Sequence, residues 1–174
     1  MTDLRYPIGR FERPKSLSEA DRNAAIEAIA ELPNQLRQAI QGWTDEQLDT
    51  PYRPGGWSVR QLVHHVSDSH MNSYVRYRLA LTESEPTIKP YQEAAWANLA
   101  DAKSAPVGLS LDLLEAMHQR WVILLRSLDA EQWARVFIHP ENGPSRLDVT
   151  ASLYAWHGRH HLAHVTGLRD RMGW

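Results

Sequence analysis

The stretch Trp156-His157-Gly158-Arg159-His160-His161-Leu162-Ala163-His164 places four histidines within eight residues near the end of the chain. Two overlapping pairs stand four residues apart, His157 with His161 and His160 with His164. On a helix, side chains four residues apart lie one above the other on the same face. Two imidazoles in this arrangement can bind one metal ion without distortion of the backbone. The stretch therefore predicts a helix that carries metal ligands.

Apolar positions around this stretch extend the predicted helix over residues 148–172. His157, His161 and His164 lie within roughly 60° of one another on an ideal helix, on the stripe that carries the apolar residues. That stripe faces the core, where an imidazole without a partner is costly and a metal ion would satisfy it. Gly158 stands where the H-E-x-x-H motif of zinc proteases has its glutamate, so this motif does not assign that class.

Three further amphipathic helices are predicted upstream, over residues 18–42, 58–81 and 110–128, because apolar residues recur there with a helical period. The first starts at Ser18-Glu19-Ala20-Asp21, and the other two have Ser58 and Ser110 as their predicted N-caps. Pro33 lies inside the first helix and is expected to kink it or to split it in two. Four such helices without a convincing strand pattern predict an all-α four-helix bundle, in a single domain over residues 1–174.

The segments between the predicted helices are long, so the bundle need not follow a simple up-down order. Residues 1–17 are expected to form an extended arm on the surface, and residues 50–56 a loop rich in Pro and Gly. Residues 87–106 look irregular, with a short helix around 92–99, and long excursions of this kind often carry function. Residues 137–147 predict a turn or a short hairpin.

Composition excludes several function classes. The chain has 174 residues, a formal net charge of −2 and no cysteine. The charge gives no basic footprint for nucleic acid, and the absence of thiols leaves only nitrogen and oxygen as metal ligands. No apolar run approaches the roughly 20 residues of a membrane span, and the N-terminus has no apolar core typical of a signal peptide. We therefore expect a cytoplasmic protein with neither nucleic-acid nor membrane partners.

A second histidine cluster, from His64 to His70, lies about ninety residues before the first, which suggests that the two converge on one site. On the predicted second helix, His65 begins a polar stripe that continues through Ser69, Asn72 and Arg76. His65 can supply a third nitrogen, and three protein ligands with an open position are typical of catalytic metal sites. Spacing alone does not choose between His64 and His65, nor between the two pairs of the last helix.

The histidines can also be accounted for without a catalytic metal site. His118 and His139 lie outside both clusters and are interpreted as hydrogen-bonded structural residues. A histidine-rich helix can also be a solvated face, and the bundle could bind metal or another ligand as a stress-response module without catalysis. A purely structural bundle with hydrogen-bonded core histidines is the third alternative.

Many short motifs resemble the DinB superfamily, and within it the YfiT group of metal-dependent hydrolases and bacillithiol transferases. The resemblance covers nearly the whole chain. Its motifs are, in order, Tyr6-Pro7-Ile8-Gly9, Pro51-Tyr52-Arg53, Gly55-Gly56-Trp57, Val63-His64-His65, Asp68-Ser69-His70-Met71-Asn72-Ser73-Tyr74, Pro90-Tyr91, Trp96, His139-Pro140, Trp156-His157, His160-His161 and Arg171-Met172-Gly173-Trp174.

The resemblance implies a four-helix bundle that binds one divalent ion, zinc or nickel, through His65, His157 and His161. His64 would then point aside on its helix and pack or form a hydrogen bond elsewhere. His160 and His164 become candidates for outer partners of the ligands or for proton transfer, with a packing role as the alternative. Three nitrogen ligands alone would also suit copper or iron.

The same resemblance implies a small-molecule substrate and a homodimer. The reaction is either hydrolysis or the transfer of a low-molecular-weight thiol to an electrophile. Ser69, Asn72 and Arg76 are candidates for lining the substrate pocket, and Arg76 would suit a carboxylate or phosphate group. No general acid or base can be assigned from the sequence.

Overall fold

The computed structural model describes residues 3–174, so Met1 and Thr2, the first two residues of the predicted arm, lie outside the described part. Within residues 3–174 the chain forms eight helices and one two-stranded sheet. In order these are α1 (Glu19–Ala39), α2 (Asp45–Leu48), α3 (Val59–Thr82), α4 (Glu93–Trp96), α5 (Ala100–Ser104), α6 (Val107–Arg126), α7 (Ala130–Ala134), β1 (Val136–His139), β2 (Gly143–Arg146) and α8 (Leu147–Met172). No helix among these is long and apolar enough to cross a membrane.

The four long helices α1, α3, α6 and α8 form a bundle, as predicted. α1 packs against α6 and α8, and α3 packs against the same two helices. Consecutive long helices α1 and α3 therefore stand across the bundle from each other, as do α6 and α8. The long connections make this crossed arrangement feasible, because a short loop joins only neighbouring helices. The core has two apolar clusters, one around Tyr77 and Trp121 and the other around Leu36, Leu62 and Leu114.

Helix α1 begins after Ser18, whose side chain accepts a hydrogen bond from the amide of Asp21. It then runs through Pro33 without a break, so the expectation of a split helix is wrong. Pro33 has no N–H group, and the carbonyl of Ile29, four residues earlier, therefore lacks its helical donor. Nδ1 of His118 lies 2.6 Å from that oxygen. A side chain from α6 thus satisfies the carbonyl that the proline leaves free.

Helix α6 begins at Val107, three residues before the predicted start, and the prediction of Ser110 as its N-cap is wrong. Pro106 occupies the cap position, where no side chain forms a capping hydrogen bond. Its ring holds φ at −58°, and proline has no N–H group that would need a partner at the helix start. Ser110 lies inside the helix, and its hydroxyl oxygen is 2.7 Å from Nδ1 of His64.

The connections contain more regular structure than the sequence pattern indicates. Strands β1 and β2 confirm the predicted hairpin and pair antiparallel, with His139 opposite Gly143. Gly143 has a φ of +70°, a conformation that favours glycine at this turn. The short helices α2, α5 and α7 were not predicted. α2 is tied to α3 by Arg60, only 5% exposed, which pairs with Asp45 and Asp49 at 2.6 Å each.

The N-terminal residues 3–17 contain no helix or strand, as predicted for an arm. The ring of Phe11 lies 5.9 Å from that of Trp156 on α8. The guanidinium of Arg13 donates hydrogen bonds to the carbonyl of Pro144 and to the hydroxyl of Ser145. The arm therefore lies against α8 and the hairpin.

Gly158 is the point of closest approach between α8 and α1. A Cβ atom at this position would lie 2.6 Å from Cδ2 of Leu32, a contact too short for any side chain. Leu32 is 2% exposed and so has little room to move. The absence of a glutamate here thus has a packing cause, since a larger residue would push the two helices apart.

We expect Gly158→Ala to lower the free energy of unfolding by up to about 2 kcal/mol. Overpacking costs roughly 1–3 kcal/mol, and the helix propensity of alanine returns about 1 kcal/mol. Gly167→Ala is the matched control on the same helix, because its Cβ would meet only the end of the flexible Arg171 side chain, at 3.3 Å. Denaturant unfolding should give opposite signs, with Gly167→Ala stabilising. Equal effects at the two sites would contradict the close contact at Gly158.

Candidate metal centre

Three histidines from two helices converge inside the bundle. His65 comes from α3, and His157 and His161 come from consecutive turns of α8. One ring nitrogen of each lies within 4.8 Å of the others. His65 and His161 are 4% and 6% exposed, and His157 is partly exposed. The two histidine clusters therefore converge, as predicted, and the three histidines that meet are the set that the family resemblance implied.

The spacing of the nitrogens fits a single metal ion. Nε2 of His157 and Nε2 of His161 lie 3.2 Å apart. Two imidazole nitrogens bound at about 2.0–2.1 Å from one ion stand roughly 2.8–3.4 Å apart at octahedral to tetrahedral angles. The same 3.2 Å also suits a hydrogen bond between the two rings in the metal-free protein. His65, whose ring centroid is 5.0 Å from that of His161, contributes the third nitrogen of the group.

Burial keeps these three rings neutral at physiological pH. It lowers the pKa of His65 to about 4. It also lowers the pKa values of His157 and His161 well below the usual range, and the neighbouring histidines add to that effect. A buried imidazolium would lose its hydration without gaining an anionic partner. The neutral ring is the form that binds a metal, so the lone pairs are available without deprotonation.

Two cavities adjoin the three histidines, and His157 and Glu93 line both. The first has a volume of about 440 Å³ and lies between the arm, the hairpin, α3 and α8. Its other walls include Phe11, Arg13, Ser69, Arg76, Tyr91, Phe137, His139, Val149, Leu153 and Tyr154. The second, of about 410 Å³, is lined by Tyr52, Arg53, Gly55, Gly56, Trp57, His65, Trp156, His160 and His161. Both volumes suit small-molecule ligands.

The predicted pocket residues of α3 take different positions. Ser69 and Arg76 line the first cavity. The side-chain amide of Asn72 donates a hydrogen bond to the carbonyl of Asp68 at 2.9 Å, and Asn72 is not among the lining residues. Of the three residues that follow His65 in the polar stripe on α3, Ser69 and Arg76 therefore face the first cavity, and Asn72 does not line it.

His64 and the second pair on α8 lie outside the three-histidine group. Nε2 of His64 is 3.2 Å from the carbonyl of Ala105, and its other nitrogen faces Ser110, so this ring forms hydrogen bonds elsewhere, as predicted. His160 and His164 face each other with their Nε2 atoms 3.1 Å apart. His160 stacks on Trp156 and lines the second cavity, whereas His164 packs on Tyr52.

Three features of the site were not predicted from the sequence. The sequence analysis did not assign Glu93, because this residue lies in an irregular stretch with no motif. Glu93 is exposed at the rim of the cavities. Desolvation by the surrounding protein nevertheless raises the pKa of its carboxyl group. Phe11 and Arg13 belong to the arm, which was interpreted as a surface segment. His70 stands about 140° around the helix from His65, so the stripe did not include it. It is fully buried between His118 and His157.

The fold and the site define a class of protein, an all-α bundle with a candidate three-histidine metal centre between its helices. The chain belongs to the DinB superfamily, whose sequence pattern matches residues 28–165. It is 56% identical over 174 residues, the full length of both chains, to a Bacillus cereus protein named "Putative metal-dependent hydrolase", and 55% identical over the same span to a Bacillus anthracis protein of that name.

The fold is also that of a solved structure, YfiT from Bacillus subtilis. The two chains superpose with a TM-score of 0.97 over 99% of each and are 49% identical. That protein is described as "a probable metal-dependent hydrolase with an unusual four-helix bundle topology". The diagonal placement of consecutive long helices in the present chain likewise departs from a simple up-down bundle.

Proposed function

We propose that the chain is a metal-dependent hydrolase in which His65, His157 and His161 hold one divalent ion. The observation that carries this proposal is the convergence of three neutral imidazoles, two buried and one partly exposed, beside two cavities. The descriptions of the Bacillus relatives support the same activity class. Three nitrogen donors suit zinc or nickel, and three protein ligands leave a coordination position open for chemistry.

A divalent ion at this position would supply a nucleophile near neutral pH, because it lowers the pKa of water or of a thiol. The residues of the chain then have to bind the substrate and accept the proton that the nucleophile loses. Trp57 packs on His65 with ring centroids 4.8 Å apart, and Tyr154 packs on His157 at 5.6 Å. These aromatic neighbours restrict the orientation of the two proposed ligand rings.

The first cavity is proposed as the substrate pocket. Its apolar wall includes Phe11 and Phe137, and Arg76 contributes a cation among polar lining residues such as Ser69 and Tyr91. A guanidinium binds carboxylate or phosphate groups through paired hydrogen bonds. The proposed substrate is therefore a small molecule with an apolar part and an anionic group, with its reacting bond at the His157 end of the cavity.

Glu93 is proposed as the general base. It lines both cavities together with His157, so its carboxyl group borders both spaces from which a nucleophile could attack. Desolvation raises the pKa of this carboxyl group, while the nearby cation of Arg76 acts in the opposite direction. A base works best when its pKa approaches the working pH, and a raised carboxyl pKa moves Glu93 towards that range.

Glu93→Gln should lower kcat by about 10²- to 10⁴-fold, the usual contribution of a general base, without loss of the ion. Glutamine keeps the shape of the side chain but cannot accept the proton. Steady-state kinetics and metal analysis of the same preparation measure the two effects. Glu83→Gln, an exposed carboxyl outside both cavities, is the matched control. Full activity of Glu93→Gln would exclude this role.

Thiol transfer is the second candidate. Two cavities that meet at His157 and Glu93 have room for a low-molecular-weight thiol on one side and an electrophile on the other. The metal-loaded protein should be assayed with ester and amide substrates and with a thiol plus a chromogenic electrophile, with chelated protein as control. Hydrolysis supports the first proposal, and conjugation alone supports the second. Bound metal with neither activity would favour a non-catalytic binding bundle.

The remaining partner predictions rest on the sequence. The family resemblance supports the proposal of a homodimer, and the composition supports the proposal of a cytoplasmic location. The proposed partner of the site is a small molecule, and the net charge of −2 gives no reason to propose nucleic acid.

A further inference from the structure

A chain of hydrogen bonds crosses the bundle and contacts all four long helices. It begins at the carbonyl of Ile29 on α1, which faces Nδ1 of His118 on α6 at 2.6 Å. Nε2 of His118 lies 3.0 Å from Nδ1 of His70 on α3. Nε2 of His70 lies 3.2 Å from Nδ1 of His157 on α8. The hydrogen-bond chain therefore ends at Nδ1 of His157, whereas Nε2 of the same ring faces His161.

The carbonyl group of Ile29 gives this hydrogen-bond chain a direction. A carbonyl oxygen can only accept, so Nδ1 of His118 must donate its proton to Ile29. A neutral imidazole has one N–H group, and Nε2 of His118 must then accept from Nδ1 of His70. In the same way, Nε2 of His70 accepts from Nδ1 of His157. The proton of His157 is thus held on Nδ1, and the lone pair of its Nε2 is free to face His161.

This direction requires His70 and His118 to be neutral, and their surroundings support that. The two residues are 0% and 1% exposed. Burial lowers the pKa of His118 to about 4. Their ring neighbours include Trp121 and Tyr154, and within residues 3–174 neither ring forms an ion pair with a carboxylate. A cation here would have no counter-charge.

We propose that His70 and His118 are positioning residues, which hold His157 in the Nδ1–H tautomer so that its Nε2 lone pair is presented to the metal ion. The inference rests on the proposed metal site. Metal-binding histidines depend on an acceptor at their second ring nitrogen, which fixes the tautomer and raises the basicity of the ligand. In most such sites the acceptor is a carboxylate, a carbonyl or water; here the acceptor is a second histidine. Pro33 sets the direction because it frees the carbonyl of Ile29.

The tautomers can be read directly from the wild-type, metal-free protein. With ¹⁵N-labelled histidine, long-range ¹H–¹⁵N correlation spectra at neutral pH distinguish a protonated ring nitrogen from one with a free lone pair. We expect His118, His70 and His157 all to have the proton on Nδ1. An Nε2–H form of His70 or His157 would overturn the proposal. This measurement needs neither a variant nor a bound ion, so it separates failure of the hydrogen-bond chain from failure of the metal site.

Metal affinity tests the consequence. His70→Leu removes the acceptor for His157 and should weaken metal binding about 10- to 100-fold, the usual effect of losing such a partner. His70→Gln can return a carbonyl oxygen near the position of Nε2 and should recover most of that loss. His64→Leu replaces another buried, hydrogen-bonded histidine of α3 and should leave the dissociation constant within about twofold of wild type.

A role limited to packing would weaken binding equally in His70→Leu and His70→Gln, and that result would overturn the proposal. Unchanged affinity in His70→Leu would overturn it as well. If the wild-type protein takes up no ion, the metal site itself is wrong, and the tautomers measured on the metal-free protein still decide whether the hydrogen bonds have the proposed direction.

Discussion

Replacing His161 with alanine is expected to remove the bound divalent ion from the purified protein. The change leaves two nitrogen donors, and two donors hold an ion far more weakly than three. The loss of affinity should exceed the roughly 10- to 100-fold effect of losing an outer partner of a ligand. His65→Ala and His157→Ala should behave in the same way, because each removes one nitrogen of the same set. Elemental analysis and titration with zinc or nickel measure the stoichiometry and the dissociation constant.

The neighbouring histidine provides the matched control. His64→Ala changes a buried ring one position along α3, which bonds to Ser110 and Ala105 instead of facing the site. It should keep one ion per chain. Loss of the ion in His64→Ala together with its retention in His65→Ala would show that the wrong member of the doublet has been assigned.

Acid is expected to destabilise the metal-free protein strongly, starting below pH 6.5. Burial lowers the pKa values of His65 and His118 to about 4 in the folded chain, against about 6.5 when unfolded. The unfolded state therefore binds more protons between about pH 6.5 and 4, and stability falls as the pH falls through that window. At pH 5 each ring lowers the free energy of unfolding by roughly 2 kcal/mol, so the two together lower it by about 4 kcal/mol.

Denaturant unfolding of the chelated protein at pH 7.5 and at pH 5 measures this difference. His70, His157 and His161 also have lowered pKa values and should steepen the loss. His118→Gln should remove about 2 kcal/mol of the difference, because it deletes one of the rings that has to be charged. A free energy of unfolding that stays constant between pH 7.5 and pH 5 would mean that these rings are not buried in neutral form.

The bundle, and the prediction that α8 carries metal ligands, followed from local patterns in the sequence. Residues that recur with a helical period define α1, α3 and α8 within a few positions, and the spacing of His157 and His161 places both on one face. These features depend on neighbours within two helical turns. They are therefore visible in the sequence without knowledge of the packing.

The errors arose where a distant contact overrides a local preference. Serine is a preferred N-cap residue, but the hydroxyl of Ser110 interacts with His64. The helix begins earlier, after Pro106. Pro33 should interrupt a helix, but α1 continues through it while His118 of another helix satisfies the free carbonyl. Neither partner can be identified from the local sequence.

The same limit applies to the site. His70 and His118 are 48 residues apart in the chain and meet only because α3 packs on α6. Glu93 reaches the cavities from a short helix within an irregular connection. The close contact of Gly158 with Leu32 likewise depends on how α1 and α8 meet. The sequence could suggest the proposed ligands, whereas the residues proposed to orient them and to accept the proton required the tertiary structure.

The metal content of the wild-type protein, purified without a histidine tag, decides whether the three histidines form a metal site. We predict one divalent ion per chain by elemental analysis. We also expect a fall in melting temperature when a chelator removes the ion, because an ion that binds only the folded state stabilises that state. A protein that contains no stoichiometric ion, takes up neither zinc nor nickel on titration, and melts at the same temperature with and without chelator would show that His65, His157 and His161 are structural residues alone.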